Sequence, residues 1–181
     1  MAYVQIAFCH LQMKDVEKYI SMNYDDNDCR VLQNMKRAIG CGNNKAQVQN
    51  HYSEVLMQIG QYGEAEATIK KAIDLDDKWP YSYINYATYV LQVKQDYLSA
   101  ANYFKKALKV DPGCVTAMIQ LAQLHMVLQE FDEATEILEK ALKEAITEND
   151  IKQVCSLQIS MEYQVNALED YQQMLKNEGV N

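Results

Sequence analysis

Three histidines and five cysteines are the side chains with which this chain could bind a metal or drive nucleophilic chemistry, and their spacing serves neither purpose. His10, His51 and His125 fall in different segments. Four residues beyond them stand Lys14, Val55 and Gln129, where a helical metal site would place its second ligand. Cys9 and His10 are adjacent, so on a helix they point to different faces and form no dyad. Cys9, Cys29, Cys41, Cys114 and Cys155 are odd in number and lack a Cys-x-x-Cys pair, and they read as reduced thiols in a cytosolic setting. Nor does the chain hold a phosphate-cradling Gly-x-x-x-x-Gly-Lys run, a dinucleotide Gly-x-Gly-x-x-Gly, or a Gly-x-Ser-x-Gly elbow. The expectation is a chain that is not an enzyme and uses neither a cofactor nor a metal.

Composition narrows the partners. A net charge of −8 without a basic stripe argues against a nucleic-acid backbone. No apolar run reaches the roughly 18 residues that read as a membrane span, and no cleavable signal segment is visible. Six glycines and two prolines leave little for sheet turns or long linkers. The chain is long enough to bury roughly 70% of its unfolded surface as one domain.

The elements that position any site are announced by alanines. Ala65, Ala100 and Ala134 stand 35 and 34 residues apart, and each is followed seven residues later by Ala72, Ala107 or Ala141. Two small residues seven apart share one face of a helix and admit a close neighbour there. Repetition at this period means helical hairpins stacked one on the next. Tyr62, Tyr97 and Phe131 precede the first alanines by three residues, as aromatic wedges at the turns, while Ile69, Phe104 and Leu138 follow by four, as plugs between helices. Leu56, Leu91 and His125 hold one place late in the first helix, and Ser53, Thr88 and Ala122 one small position. Asp111-Pro112 stops a helix.

These positions resemble the tetratricopeptide repeat, which implies an all-α fold: a right-handed superhelix (α-solenoid) of stacked hairpins. Copies are expected at 46–79, 81–114 and 115–148. Ala38, 34 residues before Ala72, places a degenerate hairpin at 1–45, with helices near 2–22 and 29–40, and its uncapped start suggests a piece of something longer. Ile151, Val154, Met161, Val165, Leu168 and Leu175 mark one face of a long capping helix over 149–177, started by Thr147, Asn149 and Asp150.

The use of such a solenoid is a concave groove. Counted from each copy's start, the inner positions include Asn50, His51, Glu54 and Met57, then Asn85, Tyr86 and Tyr89, then Ile119, Gln123 and Met126. Thioethers and aromatic rings suit apolar side chains of a peptide, and amides suit its backbone. Glu54 is the sole charge on this face. Repeats that clamp the acidic tail of cytosolic heat-shock chaperones carry lysine or arginine here, so that tail is not an expected ligand.

Leu91-Gln92-Val93-Lys94-Gln95-Asp96 coincides with the one 35-residue interval. Together with Lys106-Ala107-Leu108, Asp111, Cys114, Lys140-Ala141 and Thr147-Glu148, it resembles the C-terminal part of the large import receptors of the mitochondrial outer membrane, the seventy-kilodalton family of the Tom translocase. That family has a tryptophan where this chain has Val93. The resemblance implies a parent on the cytosolic face of that membrane. Its ligands would be mitochondrial precursor proteins, held through internal targeting segments or presequences, with other translocase subunits as neighbours. A scaffold within a multiprotein complex is the alternative.

Overall fold

A computed structural model describes residues 30–40 and 45–177, and every described element is helical. In chain order they are α1 (Arg30–Gly40), α2 (Ala46–Gln58), α3 (Tyr62–Leu75), α4 (Pro80–Tyr89, continued by a π turn over Val90–Lys94), α5 (Tyr97–Val110), α6 (Val115–Val127), α7 (Phe131–Glu144) and α8 (Glu148–Asn177). The expected helix at 2–22 lies outside the described residues, as do Cys9, Cys29 and Cys41. Two compact units divide at Val110: α1–α5 belong to the first and α6–α8 to the second.

The alanine comb does what its spacing requires. Ala65, Ala72, Ala100, Ala107, Ala134 and Ala141 are wholly buried, and so are Ile69, Phe104 and Leu138. Each pair lets the two helices of a hairpin approach: α2 with α3, α4 with α5, and α6 with α7. In α1, Leu32, Met35 and Ala38 are buried, and the helix packs on α2, joining a core that contains Tyr52, Val55 and Leu56. Tyr62, Tyr97 and Phe131 are the first residues of α3, α5 and α7. The two tyrosines are not wedges: they are 45% and 40% exposed.

The three turns within hairpins are one device used three times. Gly60, Gln95 and Gln129 all have positive φ, at 81°, 53° and 62°. In the first hairpin the Gln61 N–H donates five residues back to the Leu56 carbonyl at 2.8 Å, and in the third the Glu130 N–H donates to His125 at 2.9 Å. These are helix C-caps closed by a left-handed residue. In the second hairpin the Asp96 N–H reaches six residues back, to Val90 at 3.4 Å. The extra residue of the 35-residue interval is therefore inside the end of the helix, absorbed as a π turn.

This placement corrects the register read from the alanines. Until the π turn, α4 keeps a 34-residue offset from α2, beginning at Pro80 opposite Ala46. The small position is Ala87, wholly buried like Ser53 and Ala122, while Thr88 is only half-buried. Val90 replaces Leu91 as the counterpart of Leu56 and His125. A one-residue error on a helix turns every side chain by about 100°, so the inner-face positions assigned along α4 rotate as well.

Side-chain caps start α5 and α8. The Asp96 carboxylate accepts the Ser99 N–H at 3.0 Å, and the Ser99 hydroxyl, with this N–H, holds the Asp96 carboxyl below its usual range. Thr147 Oγ1 accepts the Asp150 N–H at 3.1 Å and opens α8. Asp111 Oδ1 accepts from Gly113 in the turn after α5. Helix α8 packs on α6 and α7 through Val154 and Met161; Ile151, expected on the same face, is 40% exposed.

Candidate functional site

In the first unit, α2 and α4 meet through a polar cluster at Glu54. Its Oε1 accepts Nδ2 of Asn85 at 2.8 Å and Nδ2 of Asn50 at 3.2 Å, and its Oε2 lies 3.1 Å from His51 Nδ1. Asn85 Nδ2 also reaches the Asn50 carbonyl at 3.5 Å. Four of the residues assigned to the groove or its edge thus converge. Asn50 is buried to 1% exposure, and its Oδ1 has no partner among the described residues. Glu54 keeps about a third of its side chain exposed. Among the described residues, the carboxylate is held by the two amides and the His51 ring, and no lysine or arginine contacts it. Met57, half-buried, packs beside it against the core of α1 and α2.

Tyr86 and Tyr89 do not line an open groove. They are 7% and 4% exposed, and their hydroxyls donate to Glu66 of α3 at 3.1 and 3.0 Å. The register shift explains the difference, because both residues turn from the inner face toward the second helices. Glu66 gathers Lys94 at 2.8 Å and Lys70 at 3.0 Å as well. Lys94 and Lys70 hold its carboxyl down at about 2, against the cost of burial. The rings form part of the same assembly. Tyr103 meets Tyr86 edge-on at 4.5 Å between centroids, with Lys106 4.4 Å over Tyr103 and Lys94 5.3 Å over Tyr89. Sequence reasoning missed this cluster. Its members come from α3, α4, the π turn and α5, and no spacing within one segment announces them.

In the second unit, Ile119 and Met126 are core residues of α6 at 5% and 7% exposure, and Gln123 alone of the three faces solvent. A first helix packed on both sides leaves little of itself free, and α6 touches α7 and α8. His125 takes the buried place late in α6, with Nδ1 2.6 Å from Glu130 Oε2, the contact expected of a packed histidine. Burial raises the Cys114 thiol above its ordinary value, which leaves less thiolate for reaction. Among the described residues, no three His, Cys, Asp or Glu side chains are grouped to hold a metal, and no helix is long and apolar enough to cross a membrane. A cleft of about 630 Å³ runs between the start of α7 and the middle of α8, with Phe131, Met161 and Val165 beside Glu130, Asp132 and Glu162.

Two family models, both described as tetratricopeptide repeat, match residues 46–78 and 94–155, together just over half of the chain. The chain is built of tetratricopeptide repeats. Among curated proteins it is similar to the mitochondrial import receptor subunit TOM70 of Saccharomyces cerevisiae, 27% identical over 103 residues. The match covers 52% of this chain and 17% of that protein, so the chain spans less than a fifth of its curated relative. Among solved structures, yeast Tom70 superposes with a TM-score of 0.66 at 22% identity, over 91% of this chain and 33% of that one. The first repeat domain of Spaghetti (RPAP3), bound to the HSP90 peptide SRMEEVD, gives 0.57 at 20% identity, covering 67% and 94%. MamA gives 0.57 at 16%, covering 98% and 91%. At these identities the structural likenesses establish the tetratricopeptide solenoid and nothing finer.

Proposed function

We propose that this tetratricopeptide chain is a non-catalytic binding module for mitochondrial precursor proteins, received as internal targeting segments or presequences along the first helices of its hairpins. The observation that carries the reading is the agreement of two independent comparisons on one relative: TOM70 appears both by sequence and by superposition. The electrostatics support it. In the first unit, the inner positions of the first helices present one carboxylate, Glu54, among Asn85 and Met57, and such a lining suits a peptide that is apolar or basic. Placement would follow the relative, at the cytosolic face of the mitochondrial outer membrane. The acidic chaperone tail bound by the Spaghetti domain would here meet Glu54, which no lysine or arginine contacts among the described residues.

A peptide array tests the proposal. Segments of mitochondrial carriers and presequences should bind, and scrambled or acidic peptides should not. Gln123→Lys, at an exposed position, should weaken the basic segments about tenfold while Lys140→Gln on α7 leaves them unchanged. Tyr89 and Ile119 are unsuitable for this purpose, because a lysine at either buried site tests folding instead. Binding one defined folded partner and none of the segments would favour the scaffold reading. The exposed Ile159, Tyr163, Tyr171 and Met174 of α8 are the surface that reading would use.

A further inference from the structure

Helix α8 carries two seams. The inward one is marked by Val154 and Met161, its buried residues, on the side that packs against α6 and α7. On the opposite side Lys152, Ser156, Ile159, Tyr163, Asn166 and Asp170 are all exposed, Ile159 at 55% and Tyr163 at 74%. Their intervals alternate between four and three residues, the spacing that keeps a coiled-coil seam on one side of a helix. Toward the C-terminus the side chains run cation, hydroxyl, apolar, aromatic, amide, anion. That order is complementary to its own reverse. A two-fold axis level with Met161 lays Lys152 against Asp170 of a second copy, Ser156 against Asn166 and Ile159 against Tyr163, and symmetry makes each pair twice.

We infer that the outward seam of α8 joins two copies of this chain as an antiparallel helix pair. Charge complementarity selects the occupant and its register. Sliding one helix by about one heptad sets Lys152 on Tyr163 in one direction and Ile159 on Asp170 in the other. A parallel pair in register sets Lys152 on Lys152 and Asp170 on Asp170, and such like-charge juxtapositions repel. Lys152 already reaches Glu148, one turn earlier, at 2.6 Å. Both side chains of that pair are more than 70% exposed, so little is lost when Lys152 exchanges it for Asp170 of the second copy. Only the two central layers are apolar, and the dimer is accordingly weak. It is independent of the peptide-binding reading, whose inner positions lie on α2, α4 and α6.

Sedimentation of the full chain from about 1 to about 300 μM tests the pairing. The average mass should climb from one chain toward two as the concentration rises. Tyr163→Ser should raise the dissociation constant at least tenfold, and so should Lys152→Asp or Asp170→Lys alone. The two charge changes in one chain should restore it to within about threefold, because each copy again offers a cation to an anion. All these positions are exposed, so melting temperatures at the lowest concentration should match that of the unaltered chain. A chain that stays monomeric throughout overturns the inference, and this measurement needs no variant to fold. A dimer indifferent to Tyr163→Ser overturns it too, since the copies then meet through another face. A double charge variant no tighter than either single one overturns the antiparallel register.

Discussion

Glu66 is the residue whose surroundings depart furthest from what its neighbours in sequence suggest. Two lysines and two tyrosine hydroxyls converge on it, and Lys94 and Lys70 bring its carboxyl to about 2 from an ordinary 4.5. A carboxyl lowered by folding stabilises the native state fully above its unfolded value and loses that contribution as the pH falls through its folded one. The unaltered chain should thus lose melting temperature between about pH 4.5 and 2 more steeply than Glu66→Gln, with the two curves converging at the acid end. Thermal melts of both proteins from pH 6 to 2 check this. Parallel curves would mean that the ion pairs are too well solvated to matter. The segment Lys94-Gln95-Asp96 shows a related point. Lys94 pairs with Glu66, Gln95 supplies the left-handed residue, and Asp96 caps α5. The residues that carried the closer family resemblance there have local structural roles, so they report how a hairpin turns, and the ligand has to be argued from elsewhere.

At the scale of the element, the decisive feature is the hairpin turn with positive φ at Gly60, Gln95 and Gln129. Glycine adopts this conformation freely, whereas other L-residues pay roughly 1–2 kcal/mol in it. Gln129→Gly should raise stability by about 1 kcal/mol, and Gly60→Gln should lower it by a similar amount, as read from denaturant midpoints at unchanged slope. Space does not limit the second change, since a Cβ at Gly60 meets nothing within 4 Å. How much of each element was legible depended on its packing. The second helices α3, α5 and α7 begin at the aromatic residue three before the alanine in every copy, because their inner faces are set by the comb itself. The first helix of the second hairpin was misplaced by one residue. Counting back from Ala100 runs through the π turn, and a helix that widens by one residue leaves no mark in side-chain type. From that error came the assignment of Tyr86 and Tyr89 to the groove and of Thr88 and Leu91 to the core.

On the scale of the molecule, the chain behaves as repeats whose stabilities sum with those of their neighbours. Ile69 and Leu138 are equivalent, wholly buried residues in different compact units. Ile69→Ala and Leu138→Ala should each cost about 2–5 kcal/mol, and in the double variant the losses should add to within about 0.5 kcal/mol. Equilibrium denaturation of the three variants supplies the numbers, and strong non-additivity would show that the two sites share structure. In α8, by contrast, only Val154 and Met161 are buried. Met161→Ala should be felt, whereas changing Tyr171 or Met174 to a polar residue should leave the melting temperature unaltered.

The sequence by itself determined the all-α repeat architecture, the buried alanines and plugs, and the starts of the long second helices. These follow from a local rule, the 3.6-residue period of a helix, applied at a fixed longer spacing, and a rule of that kind is complete within one strand of text. Tertiary structure alone decided which polar groups meet. Glu54 with Asn85 and Glu66 with Lys94 are 31 and 28 residues apart, joined across stacked hairpins. It also decided where the extra residue went. Both depend on how one helix is rotated against the next, and a rotation is fixed by packing between elements rather than by the residues of either one.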